Sequence, residues 1–305
     1  MRESSTETTF EKQPSIDTFT TEDCESDDDE QTRDDQGDMR WRLTAEEKKG
    51  VRQLKEAADQ EGLYYKNLFE IAKYVLVVRS LEKTKEKRHE VALRRLRKRH
   101  AWIKKHQLEE IDEVAAHAEI GDEACPQHFC QHFVRDRMHH RAIVGTHMAY
   151  TPLSYINASE ENKRKYLAAA MYRMDLGAVD MEEARRGMAL ATISQGQFSL
   201  GRAWKYMRFM KQISPEMKDM HPHTVKAVHA QFPSLVAHLL PAVKHVLPRK
   251  VADRIHVYAS VEDMGKNLEQ SVKSNPGNME LTASEWASQR SVRYRETVAK
   301  LSLDS

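Results

Sequence analysis

The chain has 305 residues, which is enough for one large domain or two small ones with a sizeable core. Charged residues make up 31% of it and favour long exposed helices, whereas 11 Gly and 9 Pro are few for a turn-rich all-β fold. No run of residues reaches the roughly 18 apolar positions that a membrane span requires.

The near-neutral charge of the whole chain hides a strong asymmetry. Residues 1–40 carry a net charge of −10, including the acidic run 22–30, and residues 41–305 carry +11. Because the first segment holds almost no core-forming residues, we predict a disordered acidic tail over 1–40. Phosphorylation of Ser26 could regulate the basic remainder, although a simple solubilising role is the more ordinary interpretation.

The cysteines and the first residues bear on the compartment. Cys24, Cys125 and Cys130 are odd in number, and one lies in the predicted tail, so a disulfide framework is not expected. The first 15 residues lack the basic-then-apolar order of a signal peptide. We therefore expect a cytoplasmic protein.

Residues 44–118 are predicted to form a helical lobe. Thr44 and Glu47 have the spacing of a capping box, and residues 68–78 are apolar on most sides, as in a buried helix. A narrower apolar stripe follows at Leu93, Leu96 and Ile103. The basic residues around this stripe are Arg94, Arg95, Arg97, Lys98, Arg99, Lys104 and Lys105.

The basic helix favours a solvated surface face. Binding to nucleic acid or to an anionic membrane is the alternative. Because interleaved base-stacking aromatic residues and nucleic-acid-binding motifs are missing, we do not expect a nucleic-acid partner.

Residues 119–140 are predicted to be an irregular linker rich in Cys and His. Cys125, His128, Cys130 and His132 fall within eight residues. Structural zinc sites usually draw ligand pairs from separate turns, so this crowded spacing does not predict a metal site.

Residues 141–270 alternate between strands and helices, which predicts an α/β sheet. The predicted strands are 142–148, 187–193, 225–230 and 255–258, and the predicted helices include 159–174, capped by Ser159, and 200–213. Residues 271–305 are predicted to form a loop and a final helix that contains Trp286 and Tyr294.

The segment 221–258 contains an apolar helix between two strands. Pro233 ends the first strand, Ser234 is a suitable N-cap, Pro241 predicts a kink and Pro248 ends the helix. The apolar face of the helix is formed by Leu235, Val236, Leu239, Leu240, Val243 and Val246.

This order of elements resembles the C-terminal half of a CRAL-TRIO lipid-binding domain. Lys244, Leu247 and the run Arg254-Ile255-His256 stand at that family's spacing, and the stretches 69–81 and 92–106 are similar to its helical N-lobe. The resemblance implies a CRAL-TRIO-like sheet flanked by helices, preceded by a small all-α lobe. It also implies that the helix after Pro233 is a mobile gate over a lipid cavity.

We expect binding, and transfer between membranes, of a hydrophobic lipid such as a phospholipid, phosphoinositide, tocopherol or retinoid. Methionine and aliphatic side chains suit an irregular apolar ligand. The residues predicted to line the pocket are Ile193, Trp204, Met207, Met210, Val228, Phe232, Leu235, Leu239, Leu240 and Val243.

Basic residues near the gate predict transient docking of a peripheral protein on anionic membranes. By resemblance, Lys244 aligns with a lysine that contacts phosphoinositide headgroups, and Gln212 stands where its partner is usually Glu. The predicted headgroup or membrane contacts are Lys244, Arg249, Lys250, Arg254 and Gln212.

No catalytic motif stands at a spacing that would support a reaction, so we expect a non-enzymatic, monomeric protein without a cofactor or metal. The pair His221 and His223 provides half of a metal site, and His229 suits a core histidine. Two alternatives are a membrane-recruitment scaffold with a vestigial pocket and an enzyme that uses the Cys/His segment.

Overall fold

A computed structural model describes residues 41–82, 84–126, 131, 133–147, 153–194, 201, 205, 208, 219–232, 253–270 and 281–303. Residues 38–305 belong to one compact unit. The predicted acidic tail, 1–40, lies outside the described residues, and the division of the chain into domains stays a prediction.

The first described part is helical. Its helices are α1 (Ala45–Gln60), α2 (Leu68–Leu81), α3 (Lys85–Lys105) and α4 (Glu113–Ala118). A 3₁₀ turn spans Leu108–Glu110, and a π-helical turn spans Glu119–Ala124. The predicted capping box is confirmed: Thr44 N donates to Glu47 at 2.8 Å, and Glu47 N donates to Thr44 Oγ1 at 3.2 Å.

Helix α3 has basic residues on two sides. Arg94 and Arg97 are exposed, as the solvated-face interpretation requires, but Arg95 and Arg99 are buried, at 7% and 0% exposure. That interpretation is therefore wrong for the last two. The basic spacing alone could not separate the outward arginines from the inward ones, because partners for the inward pair lie on other helices and loops.

The second part is a six-stranded sheet, and the predicted α/β fold is confirmed. The strands are β1 (Phe133–Asp136), β2 (Ala142–His147), β3 (Met188–Ile193), β4 (Val225–Gln231), β5 (Ile255–Tyr258) and β6 (Leu268–Gln270). Their order is β5-β4-β3-β2-β1-β6. Strands β2 to β5 run parallel, and β1 pairs antiparallel with both β2 and β6.

Further helices are interspersed with the strands. They are α5 (Leu153–Ile156), α6 (Glu160–Asp175), α7 (Met181–Arg186), α8 (Val261–Asn267) and α9 (Ala283–Lys300). The predicted cap of α6 is confirmed, since Asn162 N donates to Ser159 Oγ at 3.0 Å. None of the helices in the described part of the chain is long and apolar enough to cross a bilayer.

The two faces of the sheet are packed differently. On one face, Val144 and Met188 pack against Tyr172 of α6, against Leu176 just after it and against Trp286 of α9; we name it the α6 face. On the other, which we name the α8 face, side chains of β2 to β4 pack against α8. The α8 core consists of Phe133, Ile143, Ala189, Ala191, Ile193, Ala227, Val261, Met264 and Leu268.

The segment 119–140, predicted to be irregular, contains the π-helical turn and strand β1. Strand β6 and helix α8 were also not predicted. Each of these elements is short, and β1 pairs with β6 across more than 130 residues of sequence. Their stability comes from distant partners, which local periodicity cannot reveal.

Buried ion pairs join the helical part to the sheet part. Arg99 Nε lies 2.7 Å from Glu70 Oε1, and Arg99 Nη2 lies 2.8 Å from Asp175 Oδ2 at the end of α6. Lys66 Nζ reaches the same Asp175 oxygen at 2.9 Å. Burial by itself raises the pKa of Asp175, but Arg99 and Lys66 hold that pKa well below its usual value. Asp175 is therefore ionised and fixes the two parts together.

Candidate functional site

The structure describes a minority of the residues predicted to bind lipid. Ile193, Val228, Phe232 and Arg254 are among the described residues. The other predicted pocket residues, Trp204, Met207, Met210, Leu235, Leu239, Leu240 and Val243, lie outside them. The same holds for Lys244, Arg249, Lys250 and Gln212, and for the whole predicted gate helix.

The sheet register separates two of the predicted pocket residues. Val228 pairs with Leu190 in β3 and with Ile255 in β5, which places its side chain on the α6 face. Ile193 is three residues from Leu190, so it points to the opposite face, where it belongs to the α8 core. Ile193 therefore packs in the α8 core and Val228 is partly exposed on the α6 face, and the assignment of either residue to a lipid pocket stays a prediction.

A strip of apolar side chains on the α6 face reaches the edge strand. Leu190, Val228, Ile255 and Val257 share this face and are all partly exposed. We call these four residues the apolar strip. Partly exposed aliphatic side chains in adjacent strands form an apolar surface. Covering this surface with an apolar group lowers the free energy.

Two hydroxyl groups lie at the carboxyl end of β3, beside the apolar strip. Thr192 pairs with Ala230, and Ser194 follows the last residue of the strand. Ser194 N donates to Gln231 Oε1 at 3.1 Å, which ties this end of β3 to β4. Within the described part of the chain, neither Thr192 Oγ1 nor Ser194 Oγ has a hydrogen-bond partner, although both oxygens are buried. Buried hydroxyls are normally paired.

A cationic cluster lies at the opposite end of the parallel strands, along the border of the sheet where these strands begin. Arg141 precedes β2, Lys226 is the second residue of β4, and Arg254 precedes β5. Burial lowers the pKa of Lys226, and the nearby Arg254 and Arg141 lower it further. Arg254 is exposed, and the other two are partly exposed. We call these three residues the basic edge.

Asp136 provides a buried carboxylate beside the basic edge. Its Oδ2 atom lies 3.8 Å from Arg141 Nη1, and its Oδ1 atom accepts a hydrogen bond from His139 N at 2.5 Å. Burial lowers the pKa of the Arg141 guanidinium, Asp136 raises it, and Arg254 lowers it. The three cations therefore repel one another, and an anion placed among them would be favoured.

Sequence reasoning found Arg254 but missed Arg141 and Lys226. The signal was available, because Arg141 and Arg254 directly precede a predicted strand and Lys226 is the second residue of one. The amino ends of parallel strands meet at one edge of a sheet, so basic residues at these positions are brought together.

His229 of β4 lies close to Asp136 and Arg141, and its ring stacks on a ring of the edge strand β5. Its ring is 4.9 Å from that of His256 and nearly parallel to it, and its Nδ1 atom lies 2.9 Å from the hydroxyl of Tyr258. Burial lowers the pKa of His229 to about 4. The side chain is thus neutral near pH 7 and 5% exposed, as a core histidine would be.

The Cys/His segment is described in part. His128, Cys130 and His132 lie outside the described residues, Cys125 carries a thiol outside any disulfide, and His139 and His140 are exposed. Among the residues with described positions, no group of three His, Cys, Asp or Glu side chains could hold a metal ion. Burial lowers the pKa of His221 to about 4 and that of His223 well below its usual value.

Comparisons with known proteins give little further information. No family model matches the chain, and no curated protein matches it. A solved structure entitled "Crystal structure of Sfh5" is similar over 82% of this chain and 98% of that chain, with 12% sequence identity and a TM-score of 0.46. At this TM-score the similarity carries no inference about function.

Proposed function

We propose that the protein binds a hydrophobic lipid on the α6 face of its sheet and carries it between membranes without catalysing a reaction. The observation that supports this proposal is the apolar strip, which lies beside two buried hydroxyls that have no hydrogen-bond partner in the described part of the chain. An amphiphilic ligand would match both the apolar strip and the hydroxyls. Its chain would cover the strip, and its polar group would bond to Thr192 or Ser194.

The hydrophobic effect supplies the affinity in this proposal. Each methylene group that leaves water contributes about 0.8 kcal/mol, so a chain of 16 carbons gains over ~10 kcal/mol before the costs of ordering are counted. The resemblance to the CRAL-TRIO family assigns the cover of the pocket to the segment 234–247, which lies outside the described residues. In this proposal Leu235, Leu239, Leu240 and Val243 face the ligand from that segment.

Membrane docking would use the basic edge. Anionic lipid headgroups attract clustered Lys and Arg side chains by about 1 kcal/mol for each residue close to the surface. Arg141, Lys226 and Arg254 offer three such charges, and the proposal adds Lys244, Arg249 and Lys250 from the resemblance. Phosphoinositides are included among the cargo candidates, with Gln212 as a neutral partner for inositol hydroxyls.

Native mass spectrometry of the full chain, followed by solvent extraction, tests the carrier function. We expect a co-purified lipid that is depleted by Val228→Trp, because an indole on the apolar strip occupies the volume of the acyl chain. Val292→Trp is the matched control, since Val292 is 47% exposed on α9 and the same substitution there leaves the strip unchanged.

Two outcomes would contradict the carrier. Equal lipid content in both variants would place the ligand elsewhere. A wild-type protein without lipid that still binds anionic vesicles would favour the membrane-recruitment scaffold, for which the basic edge alone suffices.

A further inference from the structure

A second concave site lies in the helical part, between α1, α2 and α3. Its volume is about 260 Å³. The floor is apolar and includes Leu54, Val75 and Ala92, of which Leu54 and Ala92 are buried. Gly50 lies in the wall, where an added Cβ would come within 3.0 Å of Val75 Cγ1. This floor excludes a fully polar ligand, because each polar group buried there would lose its hydrogen bonds to water.

Two arginines from different helices converge at the mouth of this cavity. Arg79 Nη2 of α2 lies 3.7 Å from Glu46 Oε2, and Arg88 Nη1 of α3 lies 3.5 Å from Glu46 Oε1. Both distances exceed the 2.7–2.9 Å of a short charge-assisted hydrogen bond. The Glu46 side chain is half exposed. Arg88 Nε also donates to Glu82 O at 2.9 Å, which orients this guanidinium group. A small oxyanion in the place of the Glu46 carboxylate could contact both guanidinium groups at shorter distances.

A buried carboxylate holds Arg79 in this position. Glu47 is 2% exposed, and its Oε1 atom lies 2.7 Å from Arg79 Nη1. The other oxygen of Glu47 accepts from Thr44 N at 2.8 Å and lies 2.7 Å from Arg185 Nη2. Thr44 N and Arg185 thus fix one oxygen of Glu47, and the other oxygen holds Arg79 in place. Because Arg79 is oriented before a ligand binds, less conformational entropy is lost on binding.

We propose that this cavity is a binding site for a compact apolar group that carries one oxyanion, either a carboxylate or a phosphate. The volume sets the size, because a cavity of about 150 Å³ accepts a benzene ring. A site of 260 Å³ therefore holds one ring or a short branched chain together with its charged group. It lies below the roughly 300–1,000 Å³ that is usual for larger ligands. The site is separate from the apolar strip of the sheet.

Isothermal titration calorimetry on the full chain tests this site with benzoate, phenyl phosphate and the neutral analogue benzyl alcohol. We expect an oxyanion to bind at least about tenfold more tightly than benzyl alcohol, because charge-assisted hydrogen bonds replace neutral ones. Arg88→Gln should weaken benzoate binding about tenfold. Glu46→Gln should tighten it, because it removes the competing carboxylate.

Arg94→Gln is the matched control. Arg94 is an exposed arginine on the same helix, does not line the cavity, and should leave the affinity unchanged. The opposite effects of Arg88→Gln and Glu46→Gln cannot both come from partial unfolding. Weaker benzoate binding in Glu46→Gln, or equal binding of benzoate and benzyl alcohol, would overturn the proposal. Inorganic phosphate that binds as tightly as phenyl phosphate would also overturn it, because the apolar floor would then contribute nothing.

Discussion

At the residue scale, a set of buried charged side chains lies within an otherwise apolar described core. Arg99 is fully buried and forms ion pairs with two carboxylates. Lys73 lies over the rings of Phe69 and Tyr294 and donates to the carbonyl oxygen of Asp175 at 3.1 Å. Burial lowers the pKa of Lys73 to about 8. Such groups bind the helical and sheet parts in one arrangement, since any shift would leave a charge without its partner in a medium of low polarity.

His229 gives a prediction about pH. Its pKa is about 4 in the folded chain and near 6.5 when unfolded, so the unfolded chain takes up the proton first as the pH falls. The contribution of neutral His229 to stability is complete above pH 6.5 and declines towards pH 4. We expect His229→Asn to reduce the loss of stability over this interval by roughly 1 kcal/mol, measured by urea unfolding at several pH values.

The control for this prediction is His139→Asn, at an exposed position in the β1–β2 hairpin. His221 and His223 also have lowered pKa values, so part of the acid sensitivity should remain in His229→Asn. An unchanged pH profile in that variant would contradict the prediction, because it would mean that His229 has the same pKa in the folded and the unfolded chain.

At the element scale, Arg290 of α9 stabilises the turn that follows α6. Its Nε atom donates to Leu176 O at 2.8 Å and its Nη2 atom to Gly177 O at 3.1 Å, which satisfies carbonyl groups at the helix end. Nη2 also lies 2.6 Å from Glu183 Oε2, on α7. Burial raises the pKa of Glu183, but Arg290, with smaller contributions from Arg293 and the backbone N–H of Val179, holds that pKa below its usual value.

Removal of this arginine should destabilise the α6–α7–α9 junction. We expect Arg290→Ala to lower the free energy of unfolding by about 2–4 kcal/mol, because it leaves a buried carboxylate short of a partner. Guanidinium unfolding measures the change. Arg295→Ala is the control on the same helix, since Arg295 is exposed, and its loss should cost less than about 0.5 kcal/mol. Equal effects of the two substitutions would contradict a specific junction.

At the scale of the whole molecule, two basic surfaces compete as the docking site for an anionic membrane. One is the basic edge of the sheet, and the other is the exposed side of α3 with Arg94 and Arg97. Arg97 is paired with Glu61 at 2.5 Å, which reduces the charge that it offers to a membrane. Lys226 and Arg254 belong to a cluster of mutually repelling cations, so the basic edge should bind anions more strongly.

Vesicle co-sedimentation distinguishes the two surfaces. We expect Lys226→Gln with Arg254→Gln to weaken binding to phosphatidylserine-containing vesicles by about tenfold to thirtyfold at low salt, and Arg94→Gln with Arg97→Gln to have little effect. The difference should shrink as salt is raised. The reverse ranking would assign docking to α3. Charge reversal at Lys244 and Arg249 should also weaken vesicle binding while the fold stays intact, if the basic residues at and after the predicted gate helix contribute.

The sequence by itself determined the features that depend on neighbours a few residues apart. The capping box of α1, the cap of α6, the strands β2 to β5 and the α/β class were all predictable, because hydrogen bonds and side-chain periodicity at short range specify them. The basic residues at the strand starts were equally visible in the sequence. Of the three, only Arg254 was predicted as a membrane contact, and their common location was not predicted.

Only the tertiary structure decided which side chains face each other. It placed Ile193 and Val228 on opposite faces, turned Arg95 and Arg99 inward, and paired β1 with β6. The physical reason is that register and long-range ion pairs depend on contacts between residues far apart in sequence. A one-residue change in register exchanges the two faces of a strand. In β3 (Met-Ala-Leu-Ala-Thr-Ile) apolar residues stand on both faces, so the apolar pattern does not specify which face meets which helix.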